Sequence, residues 1–175
     1  MLSSEIDKLA KLTLIGYPAT GKTTLAKLLA QNEIERLYFP THGLDLKTVK
    51  FDDYFLRIWD LGGQKSYLKT YSSDYLLGSD IVFIITDSTP KNVLNSRELI
   101  NYVCHFVGKE CPIIAIANKQ DLIKKDGRMD YKRVEDILHV KTYGLTAINP
   151  SERLRVINII KKELDKISVR RRRKE

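Results

Sequence analysis

The chain is poor in several features that define whole classes of protein. Only two cysteines occur among 175 residues, Cys104 and Cys111, seven apart and flanking an apolar stretch. They lack the paired spacing of a zinc site and the density of a disulfide framework, so a reduced, intracellular protein is expected. No apolar run approaches the roughly eighteen residues that cross a bilayer, and the first residues carry Glu5 and Asp7 where a secretion signal needs positive charge. Neither export nor a membrane span is expected. Internal repeats and low-complexity linkers are likewise missing.

Positive charge, by contrast, is in excess: the formal net charge is +8, and residues 170–175 supply five positives and one negative, half of the total. A basic face spread over the fold, as nucleic-acid binders present, is therefore not expected; a moderately charged body with an attached basic patch is. A chain of this length buries about 70% of the surface its unfolded form exposes, enough for one domain without metal or disulfide support.

Short apolar runs alternate with segments of helical period, which predicts an α/β fold with a mostly parallel central sheet and helices on both faces. Leu12 to Ile15 reads as a first strand, followed by a glycine-rich turn and a helix bearing Leu25, Leu28 and Leu29 on one face. Leu44 to Phe51 and Tyr54 to Asp60 read as a hairpin, while Ile81 to Thr86 and Pro112 to Ala117 are apolar without alternation, as covered central strands are. Helices are expected from Val93 to Val107, from Tyr131 to Leu138, and in a last segment with Leu154, Ile157, Ile160, Leu164 and Ile167 on one stripe. In such folds ligands bind at the carboxyl ends of the strands.

Three motifs lie there. Gly16-Tyr17-Pro18-Ala19-Thr20-Gly21-Lys22-Thr23 matches G-x-x-x-x-G-K-[ST] between a strand and a helix start. Its glycines let the backbone wrap a phosphate, the helix N-terminus adds a positive dipole, Lys22 adds a full charge, and the Thr23 hydroxyl can reach a magnesium ion. Trp59-Asp60-Leu61-Gly62-Gly63-Gln64 follows the second hairpin strand, where Asp60 can hold the metal through a water and the Gly63 amide can meet a γ-phosphate only if the loop moves in. Asn118-Lys119-Gln120-Asp121 follows the apolar run ending at Ala117; the Asp121 carboxylate can accept two hydrogen bonds from guanine that adenine does not offer. Singly, each has an ordinary reading as a turn or surface loop. Their order and spacing favour a guanine-nucleotide site.

On these residues the chain resembles the small GTPases from Lys11 to about Ser168, and within them the Arf family most closely, through Trp59 to Gln64, Asn118 to Asp121 and Pro40-Thr41-His42-Gly43. The stretch Lys65 to Gly78 is more similar to Rab proteins. The resemblance implies a G domain over residues 11–168, a short amphipathic segment over 1–10 and a basic tail over 169–175. It implies GTP or GDP held with Mg²⁺ by Gly16, Ala19, Thr20, Gly21, Lys22, Thr23, Thr24, Thr41, Gly63, Asn118, Lys119, Asp121, Thr146 and Ala147, with the Ala147 amide facing guanine O6. Thr23, Thr41 and Asp60 are the implied metal ligands, and Gln64 and Lys22 the implied catalytic residues. Segments 32–43 and 62–73 are the implied switches, read by effector, activating and exchange proteins.

The chain also departs from the family. Leu2 stands where Arf proteins carry a myristoylated glycine, and Pro18 removes one amide from the phosphate loop close to where Gln64 must work. Two functions are therefore carried forward: a switch that slowly hydrolyses GTP, and a GTP-bound interaction subunit that does not. An ATP-using enzyme is a third, separable by the identity of the bound base. Leu2, Ile6 and Leu9 are spaced as one face of a short helix which would contact an anionic membrane, or would merely pack on the body or fray; residues 170–174 would join it at that membrane, or equally be a solvated terminus or contact nucleic acid. The expected location is the cytoplasm, with a peripheral place on the cytosolic face of a membrane if those segments anchor it.

Overall fold

The apolar runs become strands because each supplies side chains to both faces of a covered sheet. The structure, a computed structural model, describes residues 8–31 and 41–172. In chain order the elements are β1 (Lys8–Ile15), α1 (Lys22–Ala30), β2 (Leu44–Phe51), β3 (Tyr54–Leu61), α2 (Lys65–Leu76), β4 (Ile81–Thr86), α3 (Pro90–Val103), β5 (Ile113–Ala117), the short α4 (Ile123–Asp126), α5 (Tyr131–Leu138), β6 (Thr142–Gly144) and α6 (Arg153–Arg172). Single 3₁₀ turns at Gln120–Leu122 and Pro150–Glu152 precede α4 and α6.

The six strands form one sheet in the order β2-β3-β1-β4-β5-β6. Only β2 runs antiparallel, to β3; β1 pairs in parallel with both β3 and β4, and β4–β5 and β5–β6 are parallel. The expected fold class is therefore the observed one. On β4, Ile81, Phe83 and Ile85 face a core shared with Leu25, Leu28 and Leu29 of α1 and Val156, Ile160 and Leu164 of α6. Val82 and Ile84 face a second core with Leu68 of α2, Val93, Leu99 and Val103 of α3, and Val134 and Leu138 of α5. Burying one such side chain contributes about 1.5–3 kcal/mol, so this two-sided sandwich holds the sheet rigid at the strand ends where loops must be placed.

Several expected boundaries move. β1 starts at Lys8, before Leu12, because residues 8–11 pair with Tyr54 to Arg57 of β3. Leu9 is therefore on a strand, 72% exposed, rather than on the face of an amphipathic helix; Leu2 and Ile6 lie outside the described residues. α3 begins at Pro90 behind a Thr89 cap that accepts the Asn92 amide, and its α-helical turns end at Val103 rather than Val107. Leu154 is 69% exposed and leaves the predicted stripe, since at about 100° per residue it lies well to the side of the face formed by Ile160, Leu164 and Ile167. α6 continues through Arg172, past the Ser168 limit expected for the body.

Candidate functional site at the carboxyl edge of the sheet

Five parallel strands end on the same edge, and the three motifs leave from β1, β3 and β5 there. The loop after β1 is held tight by its own side chains. Thr20 Oγ1 and Lys22 Nζ both donate to the Tyr17 carbonyl, at 3.0 and 2.9 Å. Gly21 caps α1 at φ 100°, a left-handed conformation that disfavours any side chain, and a Cβ there would sit 2.1 Å from Asn118 Nδ2. Gly21 offers no side-chain cap, and the first turn of α1 carries no acid. The positive end of the helix therefore stays available to an anion, with Thr23 and the half-buried Thr24 in its first turn.

Lys22 is only 6% exposed, and burial pushes its ammonium down to about 8, with the Asp60 charge opposing that shift. A cation so desolvated gains from any anion placed beside it.

Asp60 is completely buried near the end of β3. Thr23 Oγ1 donates to its Oδ2 at 2.5 Å and lies 2.8 Å from Thr41 Oγ1, so the three implied metal ligands form one cluster. Among the described residues Asp60 Oδ1 has no hydrogen-bond partner, and burial raises the carboxyl pKa, with the Thr23 hydroxyl and Lys22 charge pulling it down. A buried carboxylate oxygen without a donor is costly, and the Thr23 hydroxyl on the other carboxylate oxygen, with the Thr41 hydroxyl beside it, completes an oxygen-only set of the kind hard divalent cations take. The residues fit magnesium.

The two glycines after β3 are required by contact. A Cβ on Gly62 would meet the Thr41 carbonyl at 2.6 Å, and one on Gly63 would meet Tyr17 C, Pro18 N and Gly16 O at 2.6, 2.7 and 2.8 Å. The second loop thus stands against the first, and Gln64 follows as the N-cap of α2, half-buried. Thr41 is half-buried; residues 32–40, which hold most of the first implied switch, lie outside the described residues.

The third loop is joined to the first across 98 and 100 residues of chain. Asn118 Nδ2 donates to the Thr20 carbonyl at 2.9 Å, and Lys119 Nζ donates to the Ala19 carbonyl at 2.7 Å. The Ala147 amide, expected at guanine O6, instead donates to Asn118 Oδ1 at 3.0 Å. Ala147 is 2% exposed, so its amide needs a partner inside the protein and the neighbouring carboxamide supplies one. Asp121 is exposed on the turn Gln120–Leu122, and Thr146 is half-buried beside Ala147.

Ser88, after β4, lies outside the motifs and Gln120 lies within the third without an assigned role, yet both side chains join this network. Ser88 is fully buried at φ 67° and donates to the Asn118 carbonyl at 2.6 Å. The only sequence hint was position, a polar residue immediately after a buried parallel strand.

Three motif loops meeting at one edge of a mostly parallel β2-β3-β1-β4-β5-β6 sheet have the arrangement of a G domain. The chain matches the model of the ADP-ribosylation factor (Arf) family over residues 1–169, and it belongs to that family of small GTPases. It is similar to ADP-ribosylation factor-like protein 3 of Chlamydomonas reinhardtii, 33% identical over 116 residues, which are 65% of this chain and 64% of that protein. Its likeness to ADP-ribosylation factor-like protein 3 of Caenorhabditis elegans is 30% identity over 142 residues, 78% of this chain and 76% of the other. An ADP-ribosylation factor of Encephalitozoon cuniculi is 26% identical over 134 residues, 76% and 64% of the two chains. The chain thus spans just under two thirds of the algal and microsporidian relatives' length. Arf family GTPases bind guanine nucleotide with Mg²⁺, and membership implies a GTP-binding switch. Among the described residues, no helix is long and apolar enough to cross a membrane.

Proposed function

We propose that this chain is a guanine-nucleotide switch that holds GTP or GDP with Mg²⁺ through the residues above and hydrolyses GTP slowly. The observation that carries the reading is the fully buried Asp60 with its unpartnered Oδ1, set beside the Thr23 and Thr41 hydroxyls at the start of α1. Thr23, Thr41 and Asp60 would hold the metal, which when bound would neutralise charge on the nucleotide phosphates. Lys22 gives its charge to the same oxygens, the loop amides and the α1 terminus stabilise the charge that develops in phosphoryl transfer, and Asp121 selects guanine.

Gln64, one residue from the contact between Gly63 and the phosphate loop, orients the attacking water. Thr41 lies in the first implied switch segment and Gly62, in the second, packs on its carbonyl, so presence or absence of the γ-phosphate is felt by both segments together. Effector, activating and exchange proteins are the expected partners. Single-turnover GTP hydrolysis by the purified chain tests the reading. Slow turnover that falls further in Gln64→Leu supports it, and equal negligible rates with and without activating proteins contradict hydrolysis.

The second reading, a GTP-bound interaction subunit without chemistry, is favoured by Pro18. Its nitrogen, which carries no hydrogen, is the atom 2.7 Å from the place a Gly63 Cβ would occupy, so the loop offers one amide fewer beside Gln64. Nucleotide binding is common to both readings.

For the basic tail we propose contact with an anionic membrane surface. Support comes from the extent of α6, which runs to Arg172, past the core residue Ile167, although Arg170 pairs with Glu110 at 3.6 Å. Each Lys or Arg near such a surface is worth about 1 kcal/mol. Liposome co-sedimentation with and without residues 170–175 tests this, and indifference to the deletion contradicts it.

A further inference from the structure

The segment that carries Asp121 has no apolar anchor. Neither the 3₁₀ turn Gln120–Leu122 nor the four-residue α4 after it contains a buried residue, and the turn is entered through Lys119 at φ 63°. A short exposed turn of this kind does not hold a carboxylate in register by packing. We propose that Gln120 is the positioning residue that fixes Asp121, and with it the preference for purines bearing a 2-amino group. The proposal rests on the reading of Asp121 as the guanine-selecting acid.

Three side-chain hydrogen bonds converge on Gln120. Its Nε2 donates to Ser88 Oγ at 3.0 Å and to the Met129 carbonyl at 3.1 Å, and its Oε1 accepts the Tyr131 amide at 3.1 Å. Its backbone amide donates to the Leu145 carbonyl at 3.1 Å. Both side-chain N–H groups and the carbonyl are thus used, which is what a carboxamide offers and a carboxylate or an aliphatic chain does not.

The partners are themselves braced. The Ser88 hydroxyl proton is committed to the Asn118 carbonyl at 2.6 Å, so Ser88 Oγ is left as the acceptor for Gln120. The Met129 amide donates to the Ser88 carbonyl at 2.7 Å, and Arg128 Nη1 donates to the Asp87 carbonyl at 2.6 Å. Gln120 therefore ties the loop after β4, the loop before α5 and the loop after β6 to the residue next to Asp121. A satisfied, partly buried network of this kind resists displacement more than isolated bonds do.

The test compares GDP with inosine diphosphate, which lacks the 2-amino group and so offers Asp121 one hydrogen bond fewer. The wild-type protein should bind GDP more tightly by at least about tenfold, the size of one hydrogen bond to a charged acceptor. Asp121→Ala should reduce that ratio to near one. Gln120→Leu, which removes all three side-chain bonds, should weaken GDP by about tenfold or more and inosine diphosphate by less, moving the ratio toward that of Asp121→Ala. Gln120→Glu, which keeps only the acceptor for Tyr131, should fall between wild type and Gln120→Leu and supplies the reading if the leucine variant does not fold.

A merely structural role would weaken both nucleotides alike. An unchanged ratio in both Gln120 variants, with the ratio still lost in Asp121→Ala, overturns the positioning role alone. A wild-type protein indifferent between the two nucleotides overturns the reading of Asp121 beneath it.

Discussion

Asn118 and Thr20, 98 residues apart in sequence, are joined by a 2.9 Å hydrogen bond from the Asn118 carboxamide to the Thr20 carbonyl. The other end of the same carboxamide accepts the Ala147 amide at 3.0 Å. One side chain thus sets the distance between the phosphate loop and both base-side loops. Asn118→Ala leaves a buried carbonyl and a buried amide without partners, at a cost of about 2–5 kcal/mol. The expected result is a lower unfolding midpoint together with faster release of nucleotide, measured with a fluorescent guanine analogue. Unaltered release in a protein of lowered stability would confine Asn118 to the fold.

Lys22 provides a pH signature. Burial holds its folded pKa near 8 against the ordinary 10.5, so between those values the unfolded chain binds a proton that the nucleotide-free protein lacks. The desolvation penalty is thus fully present below pH 8, and Lys22's contribution makes the empty protein more stable as pH rises from about 8 towards 10.5. Bound phosphate restores the charge. Calorimetry of GDP binding at pH 8.5 in buffers of different ionisation enthalpy should show proton uptake, abolished in Lys22→Met, and affinity should fall as pH rises through 8. Binding without proton exchange would contradict a phosphate partner for Lys22.

Asp60 should trade stability for metal. Burial raises its pKa, and Oδ1 is unpartnered, so removing the charge relieves the empty protein. Asp60→Asn is expected to match or exceed the wild type in thermal stability without nucleotide, and to lose the Mg²⁺ dependence of nucleotide affinity. A variant that is both less stable and still Mg²⁺-responsive would place the metal elsewhere.

Much of this architecture was legible in sequence, for physical reasons that differ by element. β4 and β5 declare themselves because strands covered on both faces have no room for polar residues. The hairpin of β2 and β3 showed its turn at Asp52-Asp53. What stayed hidden depended on partners distant in the chain: the first residues of β1 carry Lys8 and Lys11 and become strand only by pairing with β3, and β6 is three residues long. Of the site, the motif residues were legible from spacing. The fate of the Ala147 amide was not, since it is decided by a side chain 29 positions away. The place of Ser88 was unreadable for the same reason, and Gln120, though legible within its motif, showed nothing of its side-chain role, which also depends on distant partners.

Gly63 should tolerate no side chain. A methyl there must displace the backbone of Tyr17 and Pro18, from which it would lie 2.6 and 2.7 Å. Overpacking of this kind costs about 1–3 kcal/mol, and here the strain falls on the contact between the two phosphate-facing loops. Gly63→Ala is expected to bind GDP within a few-fold of wild type and GTP analogues about tenfold or more weaker. Equal loss for both nucleotides would mean that the contact does not sense the γ-phosphate.

The most direct measurement is the pair of dissociation constants for Mg²⁺-GDP and Mg²⁺-ADP, taken for the wild type and for Asp121→Asn. Convergence of the three loops on a guanine nucleotide predicts that the wild type favours GDP by a factor of about 10⁴. It also predicts that Asp121→Asn transfers the preference to xanthosine diphosphate, whose 2-oxo group suits an amide. Comparable binding of GDP and ADP by the wild type, or a variant that still prefers guanine, would contradict it.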